Sequence, residues 1–264
     1  MKIPSEIIKT IEANKKELEF LPTGFKKIDN FLNGGFLKKE LIVLGAPTGK
    51  GKSYIAGHIF NHVARQGFKS AYFSLEISNE MVLSRLLGEE TKISATKIMT
   101  GQVVLEEELE RLIEAKSSLV AHDELMFFYD DIYILAMLEK EIKERQYDFV
   151  VVDFIQNVVA SGEEYERLSH ISLQLQMLAK EANCCILVLS QLSNMVSREK
   201  RDDIVEYRGS GTIATVCDLG FFIETEKGQD DNSNSLTIKL RKNRRGVSGK
   251  AFEFYFRNGQ IFEA

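Results

Sequence analysis

A glycine-rich loop between an apolar run and a helical pattern constrains the fold of this chain more than any other feature. The loop spans residues 45–53 and reads Gly-Ala-Pro-Thr-Gly-Lys-Gly-Lys-Ser. It fits the phosphate-binding P-loop pattern that ends in Gly-Lys-Ser, with Ala46 where the strict pattern has glycine. Apolar residues 41–45 predict a strand before the loop, and residues 52–65 predict a helix after it. We therefore expect a strand–loop–helix unit of an α/β domain.

The residue types in this loop suit the binding of a nucleoside triphosphate. Gly49 and Gly51 let the backbone curl so that its N–H groups point at the phosphates, and the helix N-terminus adds partial positive charge. Lys52 is expected to reach the β- and γ-phosphates, and the Ser53 hydroxyl to bind Mg²⁺. The predicted cofactors are therefore ATP and Mg²⁺. The predicted nucleotide-binding residues are Ala46, Pro47, Thr48, Gly49, Lys50, Gly51, Lys52, Ser53 and Tyr54.

Three polar residues that end other apolar strands are candidates to complete a hydrolytic site. Asp153 ends an apolar segment of the Walker B form and is predicted to support the metal together with Ser53. Glu76 follows the predicted strand 70–75 and is a candidate to orient the attacking water. Gln191 ends a later strand, and its amide can donate to a γ-phosphate and accept from a water. Each of them alone is also compatible with an ordinary polar residue after a strand.

The rest of the chain predicts an α/β fold with two parts. Strands that are apolar throughout and separated by helices indicate a mostly parallel central sheet flanked by helices. The predicted strands of this part are 41–45, 70–75, 126–129, 149–153 and 185–189, and its later helices are 132–145 and 165–182, with helical residues between 76 and about 122. The last third predicts antiparallel strands joined by turns, at 219–224, 236–240, 251–256 and 260–262.

Two segments are predicted at the level of domains: a leader of residues 1–20 and one large domain of residues 21–264. Apolar residues recur at helical spacing in the leader and indicate a helix with one apolar stripe, formed by Ile3, Ile7, Ile8, Ile11 and Leu18. Such a stripe has to be buried, either against its own domain or against a neighbouring subunit.

Composition excludes several classes of protein. Hydrophobic residues make up 44% and charged residues 28% of the 264, ordinary values for a soluble protein with a substantial core. No apolar run approaches the roughly 18 residues that span a bilayer, so no membrane association is expected. The N-terminus, rich in Lys and Glu, does not resemble a signal peptide. Cys184, Cys185 and Cys217 are expected to be buried free thiols, and a cytoplasmic protein follows.

The distribution of charge is more informative than the net charge of −5. Residues 239–250 contain six basic residues and no acid. These are Lys239, Arg241, Lys242, Arg244, Arg245 and Lys250. Such a run alone is compatible with a solvated strand edge, and its use depends on its position relative to the motifs.

Taken together, the motifs resemble those of DnaB-type hexameric replicative DNA helicases. The resemblance covers about residues 21–263, with the motifs in the family's order. Residues 73–78 (Phe-Ser-Leu-Glu-Ile-Ser) resemble the catalytic-glutamate segment, residues 152–156 the Walker B segment and residues 189–192 the sensor strand. Residues 22–25, with Asp29 and Gly34-Gly35, resemble the segment that precedes the P-loop strand.

Two further segments make the resemblance more specific than a P-loop and a Walker B segment would. Residues 208–213 (Arg-Gly-Ser-Gly-Thr-Ile), with Asp218, resemble the loop that grips single-stranded DNA. Lys242-Asn243-Arg244, followed by Gly246, is similar to the segment that supplies a lysine and an arginine finger to the ATP of the neighbouring subunit.

The resemblance implies a RecA-like fold, a hexameric ring and a set of residue roles. Lys52, Glu76 and Gln191 would act on the nucleotide of their own chain, and Lys242 and Arg244 on that of the neighbour. The DNA-binding residues would be Arg208, Gly209, Ser210 and Gly211. The partners would be single-stranded DNA, other copies of the chain, and a primase or helicase loader.

The sequence departs from the family at two points, and alternatives remain open. Gly209 stands where the family usually carries an acid, and only about twenty residues precede the motor, where the family has a helical N-terminal domain. One alternative is a RecA-type ATPase that forms filaments or rings, or regulates another process, without unwinding. The other is a paralogue without the N-terminal collar that modulates a different helicase.

Overall fold

The computed structural model describes residues 3–6, 8–9, 19–191, 211–227, 233–257 and 260–264. The strands are β1 (Phe20–Leu21), β2 (Phe36–Leu37), β3 (Leu41–Ala46), β4 (Ser70–Ser74), β5 (Met126–Tyr129), β6 (Phe149–Asp153), β7 (Cys185–Gln191), β8 (Leu219–Lys227), β9 (Ser233–Asn243), β10 (Ala251–Arg257) and β11 (Gln260–Glu263). The helices are α1 (Lys26–Phe31), α2 (Lys52–Arg65), α3 (Asn79–Thr91), α4 (Ala95–Met99), α5 (Glu106–Val120), α6 (Leu135–Arg145), α7 (Glu164–Glu181) and α8 (Gly211–Val216).

One large sheet organises the molecule, in the order β11-β10-β9-β8-β3-β7-β6-β4-β5. The six strands from β8 to β5 pair in parallel, and β8 to β11 pair as an antiparallel meander. A separate two-stranded sheet joins β1 to β2. The predicted fold class, a mostly parallel sheet with C-terminal antiparallel strands, is confirmed.

Successive side chains of the central strands pack into two separate cores because they point to opposite faces of the sheet. Ile42 and Leu44 of β3 belong to the core that contains α2, α3 and α5. Leu41 and Val43 belong to the core that contains α6, α7 and α8. Each fully buried aliphatic side chain contributes about 1.5–3 kcal/mol relative to an exposed one. This burial on both faces explains why the central strands are apolar throughout.

The helical segment after β4 is divided, where the sequence predicted helical residues up to about 122. It forms α3, α4 and α5. The side chain of Ser78 accepts a hydrogen bond from the backbone N–H of Met81 and caps the start of α3. Lys92 and Gly101 adopt positive φ angles of 65° and 69°, which end α3 and α4. The interruptions are therefore set by local backbone conformation rather than by a loss of apolar periodicity.

Residues 4–6 and 8–9 of the leader are helical, in agreement with the predicted helix. Ile3 and Ile8 are 51% and 54% exposed, so the domain does not cover this end of the stripe. Ile7, Ile11 and Leu18 lie outside the described residues.

The three cysteines agree with the expectation of buried free thiols. Cys184, Cys185 and Cys217 are free and buried. Burial raises the pKa of Cys184 to about 12 and that of Cys217 to about 11, which suits inert core thiols. Within the described residues, no helix combines the length and apolar character needed to cross a membrane.

Candidate nucleotide site

The P-loop connects the central strand β3 to the helix α2, as the sequence predicts. Gly49 and Gly51 have φ angles of 75° and 84°, in the left-handed region that favours glycine. A Cβ atom built on either glycine would meet no atom of another part of the chain within 4 Å, so the positive φ angles rather than crowding favour glycine there. The start of α2, directly after the loop, presents unpaired backbone N–H groups, which suit the binding of an anion.

Lys52, the first residue of α2, lies over the P-loop. Its ammonium group donates hydrogen bonds to the carbonyl oxygens of Ala46 at 2.9 Å and Pro47 at 3.1 Å. Burial lowers the pKa of Lys52, while the nearby carboxylates of Asp153 and Glu76 act to raise it. The lysine therefore shares one charged site with both predicted carboxylates.

Asp153 ends β6 with its side chain buried beside the P-loop. Oδ2 accepts a hydrogen bond of 2.8 Å from the hydroxyl of Tyr72, and Oδ1 is buried without completing a hydrogen bond in the described part of the chain. Burial raises the pKa of Asp153, while the hydroxyls of Tyr72 and Ser53 act to lower it. An unpaired carboxylate oxygen near a serine hydroxyl fits a hard cation such as Mg²⁺, which prefers oxygen ligands.

Glu76 lies in the turn after β4, which ends at Ser74 rather than at Leu75 as the sequence predicted. Two hydrogen bonds fix this turn to the end of β6 and the residues after it. The backbone N–H of Leu75 donates to the carbonyl of Asp153 at 2.7 Å, and the side-chain amide of Asn157 donates to the carbonyl of Leu75 at 2.8 Å. Glu76 itself is exposed, so its carboxylate is accessible to water next to Lys52 and Asp153.

Gln191 is the last residue of β7 and reaches the P-loop from the other side. Its side-chain amide donates a hydrogen bond to the hydroxyl of Thr48. The backbone carbonyl of Gln191 accepts from the side chain of Gln156 at 3.2 Å, and its N–H donates back to Gln156 at 3.3 Å. The structure thus brings the P-loop, Asp153, Glu76 and Gln191 together at the carboxyl edge of the parallel strands, as expected for this type of sheet.

Lys242 and Arg244 lie elsewhere, at the end of β9. Gly220 of β8 pairs with Lys242 on one side and with Val43 of β3 on the other, and Leu219 pairs with Asn243 and Ile42. The end of β9 therefore lies toward the amino edge of β3, whereas the P-loop follows its carboxyl edge. The two basic residues therefore lie toward the end of β3 that is opposite to the P-loop of their own chain.

Both basic residues are held by the end of α8 and the residues after it. Lys242 donates to the carbonyls of Ala214 at 2.7 Å and Thr215 at 2.6 Å. Arg244 donates to the carbonyl of Thr215 at 2.8 Å and forms an ion pair of 3.2 Å with Asp218. The side chain of Arg244 is 44% exposed, so it is accessible to another molecule.

The predicted DNA-binding residues are described only in part. Arg208, Gly209 and Ser210 lie outside the described residues. Gly211 begins α8, and Ile213 of the same helix is buried in the core. The segment that follows the predicted DNA-binding residues is therefore anchored to the domain, and it is the helix that Lys242 and Arg244 contact.

Three residues near the site did not emerge from the sequence: Tyr72, Asn157 and Arg85. Arg85 of α3 lies 5.0 Å from the centre of the Tyr54 ring. Arg85, Tyr54 and Tyr72 line a small pocket between α2 and α3, together with Ser53. Tyr72 lies at the centre of a predicted buried strand, where a phenolic hydroxyl needs a partner, and this was the available signal for it. The contacts of Asn157 and Arg85 depend on tertiary packing.

Comparison with known proteins identifies the type of domain. The family described as DnaB-like helicase C terminal domain matches residues 21–263. The replicative DNA helicase DnaB of Treponema pallidum (strain Nichols) is 29% identical over 256 residues, which cover 92% of this chain and 56% of that protein. The replicative DNA helicase DnaC of Bacillus subtilis (strain 168) is 29% identical over 258 residues, again 92% and 56%. The chain thus spans little more than half the length of these relatives.

Solved structures agree on the fold. One of them, described as an ATPase domain, superposes with a TM-score of 0.87 at 19% identity, covering 100% of this chain and 99% of that one. A DnaB-like replicative helicase, whose structure was solved together with a study of its interactions with primase, has a TM-score of 0.83 at 19% identity, covering 100% and 67%.

Proposed function

The chain belongs to the DnaB-like helicase C-terminal domain family, and on this premise we propose that it is the ATP-driven motor of a replicative DNA helicase. One observation carries the proposal. Lys52, Asp153, Glu76 and Gln191 come together at one edge of the sheet, whereas Arg244 lies exposed toward the other edge. In the proposed motor, a chain built in this way would hold one half of an ATPase site at each of two places.

The roles at the carboxyl edge follow from the contacts there. The P-loop N–H groups and Lys52 would bind the phosphates of ATP. Ser53 and Asp153 would hold Mg²⁺, which neutralises charge on the phosphates when it is bound. Glu76, exposed beside both, would orient the attacking water. Gln191, already bonded to Thr48 of the P-loop, would respond to the presence of the γ-phosphate.

The second half-site requires a neighbouring subunit. Lys242 and Arg244 would act on the ATP of the next copy in a ring of six, where an arginine finger stabilises charge on the transferred phosphoryl group. In the isolated chain both side chains donate to carbonyls at the end of α8. Those contacts keep the two side chains ordered before a neighbour arrives.

Two exposed apolar surfaces support assembly between copies. Ile3 and Ile8 of the leader are uncovered. The start of α5, with the residue before it, carries an apolar stripe at helical spacing, Leu105, Leu109 and Ile113, with exposures of 60%, 40% and 63%. Exposed apolar stripes of this kind are typical of protein interfaces. We propose that the leader of one copy packs on α5 of the next.

The substrate proposed for the motor is single-stranded DNA. Arg208, Gly209, Ser210 and Gly211 would contact its phosphates, so binding would be independent of sequence and weakened by salt. The proposed further partner is a primase or a helicase loader, in the cytoplasm. These assignments derive from the motifs that the chain shares with the family.

The test of this function is ATP hydrolysis with and without single-stranded DNA, with Lys52→Ala as the blank. We expect strong stimulation by DNA that disappears in the variant, followed by unwinding of a forked duplex. Hydrolysis that is indifferent to DNA, or strong stimulation without any unwinding, would favour a regulatory or non-unwinding ATPase instead.

A further inference from the structure

Tyr72 places a phenolic hydroxyl among buried residues next to the candidate nucleotide site. It lies in β4, directly beside β6, where Tyr72 pairs with Val151 and Ser74 pairs with Asp153. The side chain is 1% exposed, and its ring packs edge-on against Phe60 with the ring centres 5.5 Å apart. A phenylalanine would fill the same space, so packing accounts for the ring but not for the hydroxyl.

The hydrogen-bond partner of this hydroxyl among the described residues is the metal-binding candidate Asp153. The hydroxyl donates to Oδ2 at 2.8 Å. Burying a hydroxyl without any partner is unfavourable, so this bond is needed for Tyr72 to occupy the position. The bond also acts on the aspartate, since it fixes the plane of a carboxylate that would otherwise rotate about its terminal torsion.

The two carboxylate oxygens of Asp153 therefore differ in their hydrogen bonding. Oδ2 is occupied by Tyr72, while Oδ1 is buried and completes no hydrogen bond within the described residues. The Ser53 hydroxyl, the other predicted metal ligand, acts on the same carboxylate. Oδ1 is therefore the oxygen that remains available for Mg²⁺ or for a water bound to it.

We propose that Tyr72 is a positioning residue for the nucleotide-bound metal, which holds the Asp153 carboxylate through Oδ2 and directs Oδ1 toward the Mg²⁺ position. The proposal rests on the proposed ATPase function. It assigns a functional role to the hydrogen bond between Tyr72 and Asp153, whereas packing alone explains only the position of the Tyr72 ring. Partners in the shell behind a metal ligand typically change metal affinity by about 10- to 100-fold when removed.

The chain offers a matched control for loss of a buried tyrosine hydroxyl. Tyr147, 1% exposed and located just before β6, has its hydroxyl 2.5 Å from that of Tyr129, in the core on the opposite face of the sheet. Tyr147→Phe removes the same atom as Tyr72→Phe from a side chain of equal overall exposure, with its hydroxyl in a part-buried contact with Tyr129. It therefore reports on core stability without touching Asp153.

The experiment measures the affinity for a fluorescent ADP analogue in Mg²⁺ and in EDTA, for the parent and for both variants. We expect Tyr72→Phe to weaken binding about 10-fold in Mg²⁺ and to leave binding in EDTA unchanged. The Mg²⁺ concentration for half-maximal ATP hydrolysis should rise by a similar factor, and Tyr147→Phe should match the parent in both assays.

The results that would overturn the inference are distinguishable from the result that would overturn the proposed function. Equal binding by Tyr72→Phe and the parent in Mg²⁺ would mean that the hydroxyl does not position the metal ligand. An equal loss in Mg²⁺ and EDTA, or the same loss in Tyr147→Phe, would show a general effect on folding. A parent that neither binds the analogue in Mg²⁺ nor hydrolyses ATP would instead contradict the proposed function itself.

Discussion

The two ends of the parallel strands carry different halves of the proposed ATPase and are built in different ways. At the carboxyl edge, buried strands place Asp153 and Gln191 against the P-loop, and side chains such as Tyr72 and Gln156 fix their orientation. Toward the amino edge, Arg244 is 44% exposed and is bound mainly by a backbone carbonyl and Asp218. One half is preassembled within the chain, and the other is presented outward.

This difference between the two edges indicates which steps, ATP binding or ATP hydrolysis, one copy is expected to perform alone. Nucleotide binding needs only residues that are already close to one another, so a single chain is expected to bind ATP. In the proposed motor, efficient hydrolysis would also need Arg244, which lies toward the amino edge of β3, whereas the P-loop of the same chain follows the carboxyl edge. Binding and turnover should therefore respond differently to substitutions at the two edges.

The largest effect is expected from Arg244→Ala. Loss of an arginine finger lowers turnover by about 10³-fold or more, because charge on the transferred phosphoryl group is no longer stabilised. Nucleotide affinity measured on the same variant should stay close to that of the parent. Lys250→Ala, which removes an exposed cation from the same basic run, is the matched control and should retain turnover. Full DNA-stimulated hydrolysis by Arg244→Ala would show that turnover does not depend on Arg244, which contradicts the proposed division of the ATPase site between the two edges.

A smaller but still large effect is expected from Glu76→Gln. The amide keeps the size of the side chain but cannot accept a proton from the attacking water, so turnover should fall by about 10²-fold or more. ATP should remain bound, since Glu76 does not hold the phosphates. Steady-state hydrolysis together with filter binding of ATP measures both quantities, and Glu80→Gln on the exposed surface of α3 serves as the control. A loss of binding equal to the loss of turnover would assign Glu76 a structural role.

The smallest effect is expected from Gln156→Ala. This variant compares a residue that positions Gln191 with Gln191 itself, both at the carboxyl edge. The side-chain amide of Gln156 donates a hydrogen bond to the backbone carbonyl of Gln191 and accepts one from its backbone N–H. Loss of a net hydrogen-bond contribution of about 1 kcal/mol would lower turnover by roughly 5-fold. Hydrolysis assays at saturating ATP, with Gln191→Ala for comparison, measure the effect. If Gln156→Ala is as damaging as Gln191→Ala, then Gln156 contacts the nucleotide rather than positioning the sensor.

The sequence predicted the residues whose side-chain chemistry is specific to phosphate or metal binding. It did not predict the residues whose roles depend on their neighbours in the folded chain. The strand–loop–helix pattern around Lys52 and the acid after an apolar strand were sufficient to predict the site and the fold, because few residue types can perform these tasks. Tyr72, Asn157 and Arg85 were not predicted, since their contacts depend on which strands and helices become neighbours. The division of the helical segment after β4 was missed for a related reason: Lys92 ends α3 in a left-handed conformation, which periodicity does not reveal.

The position of the basic run also needed the structure. From the sequence, the run at residues 239–250 was compatible with a solvated strand edge. Strand register places Lys242 beside the first residues of β8, and its ammonium group binds the end of α8. That its target is the ATP of a neighbour stays a prediction.

Mixing two inactive variants tests the central claim most directly. Lys52→Ala lacks a working P-loop but keeps Arg244, and Arg244→Ala lacks the finger but keeps the P-loop. If one site is shared between neighbouring copies, the mixture should hydrolyse ATP in the presence of single-stranded DNA well above the sum of the two separate preparations. A mixture that only equals this sum, under conditions where the copies demonstrably exchange, would contradict a site built from two chains.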